Sequence, residues 1–135
     1  MKALLETGPW VALIDRSEAA HEKCVDWFEA FSGELYSTEP VLTEVLFLLS
    51  FSLQAQQAAL EYVLREVVTL VPSSLKALQE VSKLMAKYAD LPMDFADATL
   101  VCLGAEAGIC DIVTLDCRDF SIYRLPNNQA FKIHP

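Results

Sequence analysis

Residues 94–116 read DFADATLVCLGAEAGICDIVTLD, and their order decides the fold. Asp94 is a natural helix cap, small and apolar residues follow through about Ala107, and Gly108 supplies the stop. Asp111–Leu115 then reads as a short strand whose end carries Asp116. A helix that delivers a short, non-alternating apolar strand is the unit of a parallel sheet buried on both faces. Sites in such sheets form at the carboxyl ends of strands and at adjoining helix starts. Asp116 falls at a strand end, and Asp94 and Asp97 fall at a helix start.

The same alternation extends upstream. Lys2–Thr7 reads as a buried strand ended by Gly8-Pro9, with Pro9 opening a helix through Ile14. Ala20, Cys24, Trp27, Phe28 and Phe31 recur at helical spacing until Ser32-Gly33. Leu35-Tyr36 is a short strand, after which Ser37 or Thr38 caps a helix that enters through Pro40 and runs to about Leu53. A second helix carries Ala55, Ala58, Ala59, Tyr62 and Val63 on one face. Val67–Val71 reads as a strand. Ser73-Ser74 caps a further helix with Leu75, Leu78, Val81, Met85 and Tyr88 as its apolar face, and Pro92 ends that stretch. Downstream lie a short segment at Phe120–Arg124 and a last strand near Phe131–Ile133. The expectation is one α/β domain over residues 1–135 with a mainly parallel central sheet.

Composition sets bounds on function. With 53% hydrophobic and 21% charged residues, the 135-residue chain has enough apolar side chains for a core, which excludes disorder. Glu6 interrupts the apolar start of the chain, so no signal peptide is read there. Val41–Leu53 holds too many polar residues to span a bilayer. A cytoplasmic protein is expected. Cys24, Cys102, Cys110 and Cys117 form no Cys-x-x-Cys pair and lie at no zinc-ligand spacing from His21 or His134, so they read as free thiols. Ten Lys and Arg against 19 Asp and Glu give a formal net charge of −9, which at first argues against a nucleic-acid partner.

No phosphate-cradling glycine loop, dinucleotide fingerprint or nucleophile elbow is present. What remains is a set of carboxylates in costly places. Glu44 stands within Val41–Leu49, a helix expected to be mostly buried. There it needs a metal cation, a Lys or Arg partner, or a path to water. Asp97 follows Asp94 by three residues, on the same helix face. Asp116 and Asp119 repeat that spacing in an aspartate-rich turn. Glu6 ends the first strand. Together these acids suggest a hard divalent cation held by oxygen, Mg²⁺ or Mn²⁺ rather than zinc, which suits phosphate-ester hydrolysis.

The chain resembles the PIN-domain nucleases, in particular the small VapC-like toxins. The resemblance rests on Glu6-Thr7-Gly8-Pro9-Trp10-Val11-Ala12-Leu13-Ile14-Asp15-Arg16, Thr43-Glu44-Val45, Leu91-Pro92-Met93-Asp94-Phe95-Ala96-Asp97-Ala98, and Val113-Thr114-Leu115-Asp116 with Asp119-Phe120. It implies a three-layer α/β/α domain that cleaves RNA with Mg²⁺ or Mn²⁺. The family's acidic quartet maps onto Glu6, Glu44, Asp97 and Asp116, with Asp119 as an occasional fifth member. Thr7 occupies a position that supports the site by hydrogen bonding. Arg16 and Arg118 flank the acidic blocks, either as phosphate contacts or as solvent-facing residues. One departure matters: the family has Asp where this chain has Glu6, whose carboxylate is carried one methylene further out.

The resemblance implies a ribonuclease toxin with an antitoxin partner, and a homodimer is expected from the apolar helical segment in the middle of the chain. Val41–Leu53 and the alanine-rich helix after it offer either an interaction surface or plain core. Glu6 favours a different reading, a PIN-like binding module of weakened activity. A phosphatase of another doubly wound family lacks support, because Glu6-Thr7-Gly8 is not the Asp-x-Asp that such enzymes place after the first strand.

Overall fold

Ala3, Leu4 and Leu5 are consecutive and all buried, which requires a strand covered on both faces. A computed structural model, describing residues 1–135, shows this strand at the centre of a sheet. The elements are β1 (Lys2–Leu5), α1 (Thr7–Ile14), α2 (His21–Ala30), β2 (Glu34–Ser37), α3 (Glu39–Leu48), α4 (Leu53–Leu64) and β3 (Val68–Leu70). They continue with α5 (Leu75–Lys87), α6 (Phe95–Ala107), β4 (Asp111–Val113), α7 (Cys117–Phe120), β5 (Arg124–Leu125), β6 (Gln129–Ala130) and β7 (Lys132–His134).

Five strands form one parallel sheet in the order β3-β2-β1-β4-β7, and β5 and β6 make a separate antiparallel pair. From β1 the chain steps outward through β2 to β3, then crosses back to β4 on the other side of β1. Right-handed crossovers therefore put α1–α4 on one face and α5–α6 on the other, giving three layers. The strand order reverses between β1 and β4, so a crevice opens there at the carboxyl ends of the strands.

Helix α6 is the buried spine. Ala96 through Gly104 are all buried. Gly104 allows this close approach, because a Cβ there would stand 2.8 Å from Ile109 O and 3.2 Å from Leu4 Cδ1. Gly108 then closes the helix at φ +68°, a conformation that favours glycine.

Several boundaries and faces differ from the sequence reading. Glu6 is the cap of α1 and Pro9 its third residue, so the first strand is shorter than Lys2–Thr7. The helix through Pro40 stops at Leu48 rather than Leu53, because Ser52 starts α4 by accepting a hydrogen bond from Ala55 N–H. Nor is the stretch Val41–Leu53 mostly buried: Phe47 and Leu48 on α3, Phe51 in the turn and Leu53 at the start of α4 are all exposed. On α5 the buried stripe is Ala77, Val81 and Tyr88 with Leu84 half-buried, whereas Leu75, Leu78 and Met85 face outward. Small Ala77 is what lets α5 close onto α6, where the Cys102 thiol lies 3.8 Å from Ala77 O.

Candidate metal centre and active site

The crevice between β1 and β4 is fastened by the backbone. Glu6 N–H donates to Val113 O (3.0 Å), which carries Glu6 to the end of β4. Thr114 then links the two strand ends: its hydroxyl donates to Glu6 Oε2 (3.2 Å) and accepts from Asp116 N–H (2.9 Å). Glu6 Oε2 also accepts from Gly8 N–H (3.1 Å), so one carboxylate oxygen caps α1 and binds Thr114 together.

Asp116 caps α7 by accepting from Asp119 N–H (3.0 Å). Asp94 caps α6 in the same way, accepting from Asp97 N–H (2.8 Å). These two caps turn Asp97 and Asp119 toward the crevice. One carboxylate oxygen from each of Asp97, Asp116 and Asp119 lies within 4.8 Å of the other two, and Asp97 is buried. Glu44, half-buried on α3, accepts from the Thr7 hydroxyl (3.1 Å). Glu6 and Glu44 thus border the tight trio and are held by threonines.

No Lys or Arg pairs with any of these acids; the chain's ion pairs are Arg65–Glu61, Lys83–Glu80 and His134–Asp111. The uncompensated charge moves their protons. Burial pushes Glu6 up to about 7 against the Gly8 and Thr114 hydrogen bonds, and the charges of Asp116 and Glu44 add to it. Burial, then Asp94, Glu6, Asp116 and Glu44, push Asp97 up to about 8. Glu44 is raised by burial and by Asp94, and Asp119 by burial and by Asp116. Like charges this close cannot all ionise without a counter-charge.

Two buried polar atoms lack a partner: Trp10 Nε1 in the core and the Tyr123 hydroxyl beside these acids. The Tyr123 phenol is fully buried, and its proton is held more tightly by burial and by the charges of Asp97, Asp119, Asp116 and Asp94. Three acceptor groups within 4.8 Å fit a hard cation, whose oxygen ligands stand about 2.0–2.6 Å from the ion. The donor set is all oxygen, with Cys117 exposed nearby in sequence as a free thiol.

A family model described as PIN domain matches residues 3–125. The chain belongs to the PIN domain family. No curated protein matches its sequence. Among solved structures it is similar to Mycobacterium tuberculosis VapC20, described as a sarcin–ricin loop cleaving toxin. That pair shares 20% identity at a TM-score of 0.75, covering 82% of this chain and 86% of that one. It is also similar to VapBC2 from Rickettsia felis bound to a promoter DNA fragment (16% identity, TM-score 0.66, 100% of both chains). A DNA-bound VapBC from Salmonella typhimurium has 18% identity and a TM-score of 0.63, with 98% of each chain covered.

The residues expected to serve this PIN domain are distributed unevenly. Asp97, Asp116 and Asp119 converge; Glu6, Glu44 and Thr7 join them by hydrogen bonds and charge. Arg118 is exposed on α7, and its charge reaches Asp119. Arg16 is exposed on the turn after α1, without an ion-pair partner. The sequence reading passed over Thr114 and Tyr123. Thr114, two residues before a strand-end acid, carried a usable signal as the hydroxyl that holds that acid's N–H. Tyr123 carried none, because only the tertiary fold brings it beside Asp97.

Proposed function

We propose that this chain is a metal-dependent endoribonuclease that hydrolyses RNA phosphodiester bonds with Mg²⁺ or Mn²⁺, and that it is the toxin of a type II toxin–antitoxin pair. The observation that carries the reading is the Asp97, Asp116 and Asp119 trio, packed without a cationic partner at the point where the strand order reverses. These three would hold the ion, with Glu6 and Glu44 as further ligands or as acceptors for its water. Bound there, a divalent ion supplies a water of lowered pKa and neutralises charge on the phosphate.

The protein's own groups do the positioning. The α6 and α7 caps fix Asp97 and Asp119 through their own N–H groups. Thr114 spans Glu6 and Asp116, and Thr7 holds Glu44, so hydrogen bonds tie the strand ends to the helix starts. Arg118, whose charge reaches Asp119, would contact a phosphate presented there.

The toxin part of the reading is supported by similarity to proteins described as VapBC complexes. It is also supported by the exposed apolar corner Phe47, Leu48, Phe51 and Leu53, a surface suited to an antitoxin or to a second copy. A cytoplasmic location belongs to the same reading; the structure adds that no helix is long and apolar enough to cross a membrane.

The test is cleavage of structured RNA by purified protein with Mg²⁺ or Mn²⁺ and with EDTA. Metal-dependent cleavage is expected, with Asp97→Asn reducing it at least about 100-fold. Unchanged cleavage by Asp97→Asn sinks the site assignment. The finding that Glu6 Oε2 is spent on capping α1 and on Thr114 supports a second reading, a binding module of weakened activity. Glu6→Asp separates the two: cleavage that appears only in the variant favours the module, and cleavage by the parent excludes it.

A further inference from the structure

Beside the acid trio, between α3 and the start of α6, lies a groove of about 590 Å³. Glu39, Thr43 and Glu44 line it from α3, and Asp94 and Phe95 from α6. Glu44 belongs both to this groove and to the carboxylate set, so the groove is continuous with the candidate centre. Phe95 is 45% exposed although the nine residues after it on α6 are all buried. Nearly half of this side chain's surface is therefore open, on the residue where α6 lines the groove.

We infer that this groove is a nucleobase subsite that takes guanine from a single-stranded stretch of RNA, stacked on Phe95 and read by Glu39. The inference rests on the RNA reading of the neighbouring centre. Three carboxylates without a paired cation repel phosphate, so the groove suits the uncharged part of a nucleotide. Unstacked RNA bases are held on aromatic faces and read along their Watson–Crick edges. Carboxylates only accept hydrogen bonds, and they prefer two parallel donors.

Guanine N1–H and N2–H offer two adjacent donors on one edge. Adenine and cytosine offer a donor beside an acceptor, and uracil a single donor between two carbonyl oxygens, so each sets an acceptor against a carboxylate. Of the acids lining the groove, Asp94 Oδ1 is committed to Asp97 N–H and Glu44 Oε2 to Thr7. The Glu39 carboxylate is exposed and has no ion-pair or hydrogen-bond partner in the chain, which leaves it as the reader.

The test is an NMR titration of the metal-free protein with guanosine, inosine, adenosine and uridine. Nucleosides carry no phosphate, so binding depends neither on a metal nor on cleavage. Guanosine is expected to bind tightest and to shift the Thr43, Phe95 and Ala96 amides. Inosine, which lacks the N2 amine, is expected to bind more weakly. Phe95→Ala should weaken guanosine about tenfold. Glu39→Gln, which replaces one acceptor by a donor, should bring guanosine and inosine to near parity.

Guanosine binding no tighter than uridine, or a Phe95→Ala variant that binds as the parent does, overturns the subsite. Both positions are exposed, and retained far-UV circular dichroism confirms folded variants. The two readings fail separately. Guanosine bound at Phe95 in a protein that cuts no RNA overturns the nuclease and leaves the subsite, whereas metal-dependent cleavage without guanosine binding overturns only the subsite.

Discussion

Glu6 Oε2 accepts from Gly8 N–H and from the Thr114 hydroxyl, so the extra methylene is absorbed by folding the carboxylate back onto its own helix start. A sequence shows that Glu stands where the family has Asp, but not that the longer chain finds two donors. Tyr123 makes the complementary case. Its ring packs edge-on against Tyr88 and Phe120, which accounts for its position, while its hydroxyl is buried beside Asp97 without a partner. An unpartnered buried hydroxyl costs about 1–3 kcal/mol, and a residue of the same shape without it is neutral or better. Tyr123→Phe is therefore expected to keep or raise the Tm of the metal-free protein. A destabilisation of more than about 2 kcal/mol in a denaturant titration contradicts this, because it shows that the hydroxyl has a water or carboxylate partner in solution.

At the scale of elements, the sequence was legible where a cap or stop acts locally and ambiguous where packing chooses a face. Asp94, Ser74 and Gly108 bound their helices as their chemistry requires. On α5, two apolar stripes share Val81 and Tyr88, and periodicity alone cannot choose between Leu75–Leu78–Met85 and Ala77–Leu84. Close approach to α6 chooses the stripe with the small residue. The α3–α4 corner follows the same logic. Its apolar run looked like core, yet Val41, Val45 and Leu49 fill the inner face, leaving Phe47, Leu48, Phe51 and Leu53 exposed. Such a patch marks an association surface. The parent protein is expected to elute above its 15.0 kDa monomer mass in size-exclusion chromatography with light scattering. Phe47→Glu combined with Phe51→Ser is expected to return it to monomer mass with stability changed by less than about 1 kcal/mol, as for other exposed positions. A parent that is already monomeric removes the homodimer and leaves the corner to another partner.

Across the whole molecule, the net charge of −9 is less informative than where the acids sit. The candidate carboxylates were legible from their costly placement and from the family resemblance, but their mutual repulsion is a property of the crevice. Glu6 holds its proton up to about pH 7 and Asp97 up to about pH 8, against ordinary values of 4.5 and 3.8. Between those limits the folded state binds more protons than the unfolded state. Stability of the metal-free protein must therefore fall as pH rises through that window. The Tm in EDTA is expected to be higher at pH 5 than at pH 8, and Asp97→Asn should flatten the difference. A divalent ion acts in the opposite sense, because it binds the ionised carboxylates and displaces their protons. Mn²⁺ should thus raise the Tm little at pH 5 and most near pH 8. Calorimetry at pH 7 should show protons released on binding, as a heat that varies with the ionisation enthalpy of the buffer. A Tm in EDTA that climbs from pH 5 to pH 8 contradicts the raised acids. The same balance bears on RNA: without a metal the crevice repels phosphate, and the few basic residues cannot offset it. Tight RNA binding in EDTA would place the RNA surface elsewhere on the molecule.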